Sequence, residues 1–503
     1  MILNTTKELF LVYLPEILLT GILIALLFTD LSQKKYKVKG AITLIAAGLI
    51  AAITILISVS GWMMGEISTG SDYVIAVNDG YGLILRGMIM FTFLVVILLT
   101  YLDKELLAEK MRQGQLYILL VSFLPAMMIS VTSVDLLLTY VTVEFMSLIS
   151  YVLAGYIRLS EKSSEASIKY FLYGASASAV MLFGISLIWG AAGTFQYNEI
   201  RDFLTETKGS YALFGAGFLM VVLGMGYKMA SAPFHFWSPD VFEGSAISVT
   251  SLFAVTTKVA AFGIFARIVH TFFPVFSDAA LAQAIKANLN YDAIIMVLSI
   301  SSMFIGNIAA LRQNNIKRLL AYSGISHAGF ILSALLISNA ESVSSLLAYI
   351  IIYAIMNIGA FLTSTILVRY SESEEISSFK GLGYKHPLTA VSLVIFVVSL
   401  IGLPPTAGFF VKFYLFTNLI DSGYLVIALI ALLNTVISIY YYFNLLRTLY
   451  QPEEKEISES VFSLPMIYYI LLLMLVTPVI IFGVWFTPVI NLSSNFGKIL
   501  GIN

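Results

Sequence analysis

PLTAVSLVIFVVSLIGLPPTAGFFVKFYLFTNLI, running from Pro387 to Ile420, is too long for one straight membrane helix and too apolar for a soluble one. Its middle is broken by Gly402-Leu403-Pro404-Pro405-Thr406-Ala407-Gly408, and Lys412 follows the break. Proline removes a backbone donor and interrupts a helix, yet inside a membrane bundle the freed carbonyls can line a wet cavity. A second long apolar segment, 210–237, carries Lys228 and then Pro233. Interrupted helices at corresponding places in two halves of a chain are the sequence pointer to an inverted-repeat transporter.

The rest of the chain fits this reading. Of its 503 residues 59% are hydrophobic and 11% charged, against roughly 25% charged in an ordinary globular protein. Apolar runs recur along the whole length, and about fourteen are long enough to cross a ~30 Å hydrocarbon core as helices. They are read over 9–29, 41–62, 83–102, 115–133, 135–157, 168–192, 210–237, 246–270, 292–311, 316–338, 344–368, 387–420, 423–446 and 463–487. The expected fold is an all-α polytopic membrane protein forming one membrane domain over 1–503. Three N-terminal helices (1–102) precede two inverted five-helix repeats, 115–270 and 292–446, and a C-terminal helix (463–487) closes the chain. The discontinuous seventh and twelfth spans lie five spans apart, an odd offset that puts the two halves in opposite orientations. The first span begins without a basic stretch or a small-residue cleavage site, so it reads as a retained helix.

Lys228, Lys258 and Lys412 aside, most of the 28 Lys and Arg fall on one side when the N-terminus is placed outside. Examples are the Lys34–Lys39 group, Lys317, Arg318 and Arg447, whereas Arg86, Arg201 and Arg267 fall on the other side. The positive-inside bias selects N-out and C-out for a multi-pass protein, and a prokaryotic plasma membrane is the expected host. The chain has no cysteine, which excludes disulfides, thiolate zinc sites and cysteine-ligated Fe–S clusters within it. Four dispersed histidines show no metal-binding spacing, and no phosphate-binding or dinucleotide-binding glycine motif is present. With a net charge of −1 no global field points to nucleic acid. Neither a metal nor a cofactor site is expected in this chain.

Ionisable residues inside the spans are then the features that need a reason, because a charge at mid-membrane costs at least ~2.5 kcal/mol. Glu144 stands nine residues after Asp135, roughly 14 Å into its helix, and Lys228 beside the Pro233 break is its expected partner. A Glu–Lys pair couples the protonation of both groups. Lys258 lies deep in its span, too far from either end to reach water by snorkelling. Lys412 follows the Pro404-Pro405 break. His327 is a proton relay or a satisfied bundle histidine. Lys169 at a helix end reads as snorkelling, His235 as a packing or interfacial residue, and Glu16 as either functional or a contact with a neighbouring subunit. Together Glu144, Lys228, Lys258, His327 and Lys412 suggest a path for a proton or another ion.

Several stretches carry a family resemblance. They are Leu14-Pro15-Glu16-Ile17; Ser133-Val134-Asp135-Leu136 leading to Glu144; Leu153-Ala154-Gly155-Tyr156; Ser164-Glu165-Ala166 and Lys169-Tyr170-Phe171-Leu172. The run from Pro233-Phe234-His235-Phe236-Trp237-Ser238-Pro239-Asp240 to Gly244, Asn315-Ile316-Lys317-Arg318-Leu319-Leu320-Ala321-Tyr322-Ser323, Gly402-Leu403-Pro404-Pro405 and Gly408-Phe409-Phe410-Val411-Lys412-Phe413 complete the set. With these the chain resembles the antiporter-like membrane subunits of respiratory complex I, and within them the N-type subunits. A lysine at the twelfth-span position argues against the M type, and the end of the chain after about fourteen helices against the L type.

The resemblance implies two half-channels, one around Glu144 and Lys228 and one around Lys412, bridged by Lys258 and His327. It implies a non-redox subunit of a quinone-reducing translocase. Fe–S clusters, flavin and quinone would then be held by partner subunits. The partners would be a neighbouring antiporter-like subunit, small helical subunits, a peripheral redox arm reached indirectly, and the lipid bilayer. Asn357 falls where related subunits carry a histidine, so that the relay there would rely on water. An Mrp-type sodium/proton antiporter subunit shares the central fold and is the alternative. A non-transporting scaffold is the third reading, in which the buried lysines serve assembly only.

Overall fold

The computed structural model describes residues 2–3, 13–31, 48, 65–68, 74–103, 106, 113–157, 160–206, 211–273, 289–337, 341–452 and 464–496. The expected span over 41–62 lies outside them, apart from a single helical position. Helix α1 covers Leu14–Leu31, α2 Gly80–Thr100, α3 Gln113–Ser130, α4 Leu136–Ala154 and α5 Glu161–Ala192. A short helix, α6 (Tyr197–Glu206), leads into α7 (Tyr211–Met229) and α8 (Trp237–Gly244). Then come α9 (Ile247–Phe272), α10 (Tyr291–Ala310), α11 (Ile316–Leu336) and α12 (Glu341–Ser371). The short α13 (Leu382–Lys385) precedes α14 (Pro387–Ile401), α15 (Ala407–Asp421), α16 (Leu425–Leu449), α17 (Met466–Val484) and α18 (Thr487–Phe496). Among the described residues ten helices are long and apolar enough to cross a membrane, and three shorter apolar helices accompany them. The protein is a multi-pass integral membrane protein.

The all-α expectation needs one correction. A small sheet joins β1 (Ile2–Leu3), parallel, to β2 (Gly65–Ser68), which pairs antiparallel with β3 (Val74–Asn78). Val74-Ile75-Ala76-Val77 is β-branched and too short for a span, so it takes the extended form. β3 also holds the loop before α4: Val77 N donates to Thr132 O at 2.8 Å and Val134 N to Ile75 O at 3.1 Å.

Two of the membrane helices, α4 and α11, begin with the same backbone clasp. Asp135 caps α4 through Leu138 N at 2.7 Å, and Asn315 caps α11 through Lys317 N at 2.8 Å, as short polar side chains do at helix starts. Beside Asp135, Leu136 N donates to Phe195 O (3.0 Å) and Tyr197 N to Val134 O (2.9 Å). Beside Asn315, Ile316 N donates to Glu374 O (3.0 Å) and Ile376 N to Asn314 O (2.7 Å). In both cases the clasp ties the start of one membrane helix to the chain just beyond the next.

Burial sorts the helices. α9, α11 and α12 are buried along nearly all of their apolar length, whereas α5, α16 and α17 bury less than half of theirs. On α16, Leu429, Leu432, Val436, Tyr440 and Phe443 form an exposed stripe at helical spacing, the pattern of a face turned to lipid. The ionisable residues Lys258 and His327 thus sit in the helices farthest from lipid.

Both expected breaks are present, in different forms. α7 ends at Met229, before Pro233, where Ala230 takes a left-handed φ of 53°. Seven residues of turn then lead to α8. α14 ends at Gly402 with φ 89°, and α15 starts at Ala407. The two half-helices meet closely: Gly408 N donates to Ser399 Oγ at 3.0 Å, and a Cβ at Gly408 would lie 1.8 Å from Ser399 O. Because that neighbour is backbone, Gly408→Ala is expected to destabilise the break by about 1–3 kcal/mol. A lowered melting temperature of the purified assembly would register it.

Candidate functional site

The first polar station lies on one face of α4. Glu144 accepts a short hydrogen bond from Ser178 Oγ of α5. Lys228, in the last turn of α7, donates a short hydrogen bond to Ser147 Oγ. Glu144 and Ser147 are one turn apart and so neighbours on the helix surface. Each member of the expected Glu144–Lys228 pair is thus bonded to a serine hydroxyl. The Tyr151 and Tyr227 rings flank Lys228 Nζ, with centroids 5.8 and 5.5 Å away, a distance at which an ammonium gains from the ring face.

Beside Lys228 a small cavity of about 20 Å³, room for about one water, is lined by Ser150 and Tyr170 and, from α9, by Thr257 and Ala261. Thr257 adjoins Lys258. The preceding turn, Leu252–Thr256, is a π-helical segment, a widening that often marks functional sites. Tyr353 Oη of α12 donates to Ala254 O inside it at 3.0 Å. Lys258 is 1% exposed, and its Nζ donates to Gly324 O of α11 at 2.8 Å.

One turn beyond Gly324 on α11 stands His327, 3% exposed, with Nδ1 3.0 Å from Tyr349 Oη. Its ring centroid is 6.0 Å from that of Phe330. The Phe330 ring in turn lies 4.5 Å from Lys412 Nζ. Lys412 is 3% exposed and donates to Leu400 O (3.1 Å) and Ile401 O (2.9 Å). These are carbonyls left open at the C-terminal end of α14, where a cation is favoured. The break thus supplies the oxygen ligands of the buried ammonium. Asn357 of α12 is 1% exposed, and its side-chain NH2 has no hydrogen-bond partner among the described residues.

The remaining candidates are placed elsewhere. Glu16 pairs with Arg86 of α2 at 2.8 Å, both buried. Lys169 bridges Glu165 (2.5 Å) and Asp240 (2.6 Å). His235 lies over Phe236, ring centroids 4.5 Å apart. Arg86 and Arg267, read from the sequence as outer-side charges, are buried in α2 and α9 instead. Arg267 makes a two-point contact with Asp79, both bonds 2.8 Å. Among the described residues no group of three or more His, Asp or Glu could hold a metal ion.

Sequence reading also missed a charged cluster around α8. Asp240 and Glu243 pair with Arg318 at 2.7 and 2.9 Å, Glu243 with Lys162 at 2.8 Å, and Lys317 with Glu374 at 2.5 Å. Partial burial pushes the Asp240 and Glu243 carboxyls up, but their cationic partners more than offset this and hold both below the usual carboxylate range. Carboxyls lowered in this way stabilise the cluster at pH above the ordinary value of about 4, and the gain is lost as pH falls through that range. A drop in melting temperature of the assembly as pH falls below about 4, which Asp240→Asn reduces, is the expected result.

Residues 133–438 match the family described as NADH:quinone oxidoreductase/Mrp antiporter, TM. NADH-quinone oxidoreductase subunit N 2 of Chloroherpeton thalassium is 33% identical over 494 residues, covering 97% of this chain and 94% of that protein. The chain belongs to the subunit N family. Subunit N of Trichlorobacter lovleyi is 34% identical over 449 residues, covering 88% of each. Among solved structures, respiratory complex I from Thermus thermophilus with bound aureothin contains a chain similar at 26% identity and TM-score 0.77, covering 95% of this chain and 99% of that one. The Mrp complex from Dietzia aligns with TM-score 0.82 at 17% identity. For this subunit N family member, the Mrp alternative is a likeness of fold.

Proposed function

We propose that this chain is a non-redox, proton-translocating membrane subunit of an NADH-quinone oxidoreductase, coupling quinone reduction elsewhere in the assembly to proton movement. Family membership supports the assignment to the translocase. The observation that carries the proton path is the placement of Lys258: a buried ammonium, held by one backbone carbonyl, between two polar stations at the two helix breaks. The path runs from Glu144 and Lys228 through the cavity beside Thr257 to Lys258, then past His327 to Lys412. Lys228, Lys258, His327 and Lys412 can each hold or release one proton at a nitrogen. The unpartnered Asn357 amide supports water as part of the relay.

In this reading 115–270 and 292–446 are inverted repeats within about fourteen spans, and the two backbone clasps are their matching corners. The N- and C-termini lie on the outer side of a prokaryotic plasma membrane. Flavin, Fe–S clusters and quinone belong to partner subunits, and the direct partners are a neighbouring antiporter-like subunit and small helical subunits. Purification of the full chain from its native membrane tests the assignment. Co-purification of Fe–S subunits with NADH-dependent quinone reduction is expected. A chain that exchanges sodium for protons without redox partners would contradict it. Lys228→Ala in the assembled complex is expected to slow redox-driven proton uptake by about a hundredfold, read by a pH dye in proteoliposomes.

A further inference from the structure

We infer that Gly324 is the positioning residue that brings Lys258 into the second half of the pathway, standing where the first half carries its carboxylate. The inference rests on the proton path proposed above. The two clasps set a register: Glu144 lies nine residues after the cap Asp135, and Gly324 lies nine residues after the cap Asn315. No gap separates them within α4 and α11, so the two positions are equivalent. In the first half that position bears an acid bonded by Ser178. In the second it bears no side chain, and the space is filled by an amine arriving from the other half, Lys258 Nζ on Gly324 O at 2.8 Å.

The same register puts His327 at the position of Ser147, the residue that holds Lys228. The second half therefore has Lys258 at the place of Glu144 and His327 at the place of Ser147, next to each other along α11. A Cβ at Gly324 would meet Lys258 Nζ at 2.9 Å and Tyr353 Oη at 3.4 Å. Tyr353 is at ordinary contact distance. The ammonium is the flexible end of a long side chain and is the group that must move. Gly324→Ala thus leaves the helix packing in place and displaces Lys258 Nζ from its position on the carbonyl.

The test uses Gly324→Ala, Lys258→Ala and the double variant in the assembled complex, reading redox-driven proton uptake and the quinone KM. Gly324→Ala is expected to slow proton uptake by about tenfold or more, since small misplacements at a reacting centre cost that much, with the quinone KM unchanged. The double variant is expected to match Lys258→Ala alone, because both changes remove one interaction. Wild-type uptake in Gly324→Ala, or effects that multiply in the double variant, would overturn the inference and leave the path itself standing. Wild-type uptake in Lys258→Ala would instead remove the path on which it rests. Should Gly324→Ala fail to assemble, recovery in the Lys258→Ala background supports the inference, and failure in both backgrounds overturns it.

Discussion

Lys258→Met is expected to abolish redox-driven proton uptake while the complex assembles and melts at or above the wild-type temperature. The physical reason is that the two effects of this lysine have opposite signs. Its ammonium is removed from water and held by Gly324 O, an arrangement that costs folding free energy. Apolar replacements of buried charged groups are often neutral or stabilising by about 1–4 kcal/mol. Methionine nearly matches the volume of the lysine and fills the same slot between α9 and α11. What it cannot do is carry a proton between the cavity below Lys228 and the His327 turn. A proton-transfer group of this kind is worth roughly 10²–10⁴ in rate. Loss of uptake with unchanged or raised thermal stability separates a relay from the scaffold reading, in which the substitution changes assembly alone. Proton uptake in proteoliposomes and a melting curve on the same preparation provide the check.

Arg267→Met is expected to do the reverse, removing the fold. Arg267 is 1% exposed, holds Asp79 by two bonds of 2.8 Å and donates to Val131 O at 3.1 Å. Asp79 in turn caps α2 through Gly82 N at 2.8 Å. The group therefore ties α9, the start of α2 and the loop before α4. Breaking one partner of a buried pair leaves the other charge stranded, at a cost of about 3–5 kcal/mol. The expected result is loss of assembled complex on native gels. Asp79→Ala adds the loss of a cap worth about 1 kcal/mol. The double replacement Asp79→Ala with Arg267→Met is expected to be milder than Arg267→Met alone, since no uncompensated charge remains.

The contrast between these two buried cations explains what could be read from the sequence. Lys258, Lys412 and the Pro404-Pro405 break stand out because each violates a membrane rule within its own segment, and such violations need no partner to be seen. Arg267 looks like a charge at a helix end until its partner, 188 residues away, is known. The cluster of Asp240, Glu243, Lys162, Lys169 and Arg318 was hidden for the same reason: its members come from three helices. The expected Glu144–Lys228 pair matched charge to charge, but the structure adds Ser178 on Glu144 and Ser147 on Lys228, whose hydroxyls carry no signal in a membrane helix.

Gly324 is the most instructive omission. It is legible only once the clasps at Asp135 and Asn315 fix the register of the two halves, because the sequences of α4 and α11 share almost no side chains. The small sheet at β1–β3 was missed because reading for spans leaves short extended segments as loop. Shape followed from hydrophobicity and proline placement; the contacts that set function come from residues far apart in the chain.

In the proposed mechanism protons travel laterally from the Glu144 station to Lys412. That movement is tested most directly by the number of protons translocated per electron in proteoliposomes containing the assembled Glu144→Ala complex. A fall in that ratio is expected, with electron flow to quinone persisting when the gradient is collapsed by an uncoupler. A wild-type ratio in the same preparation would contradict it.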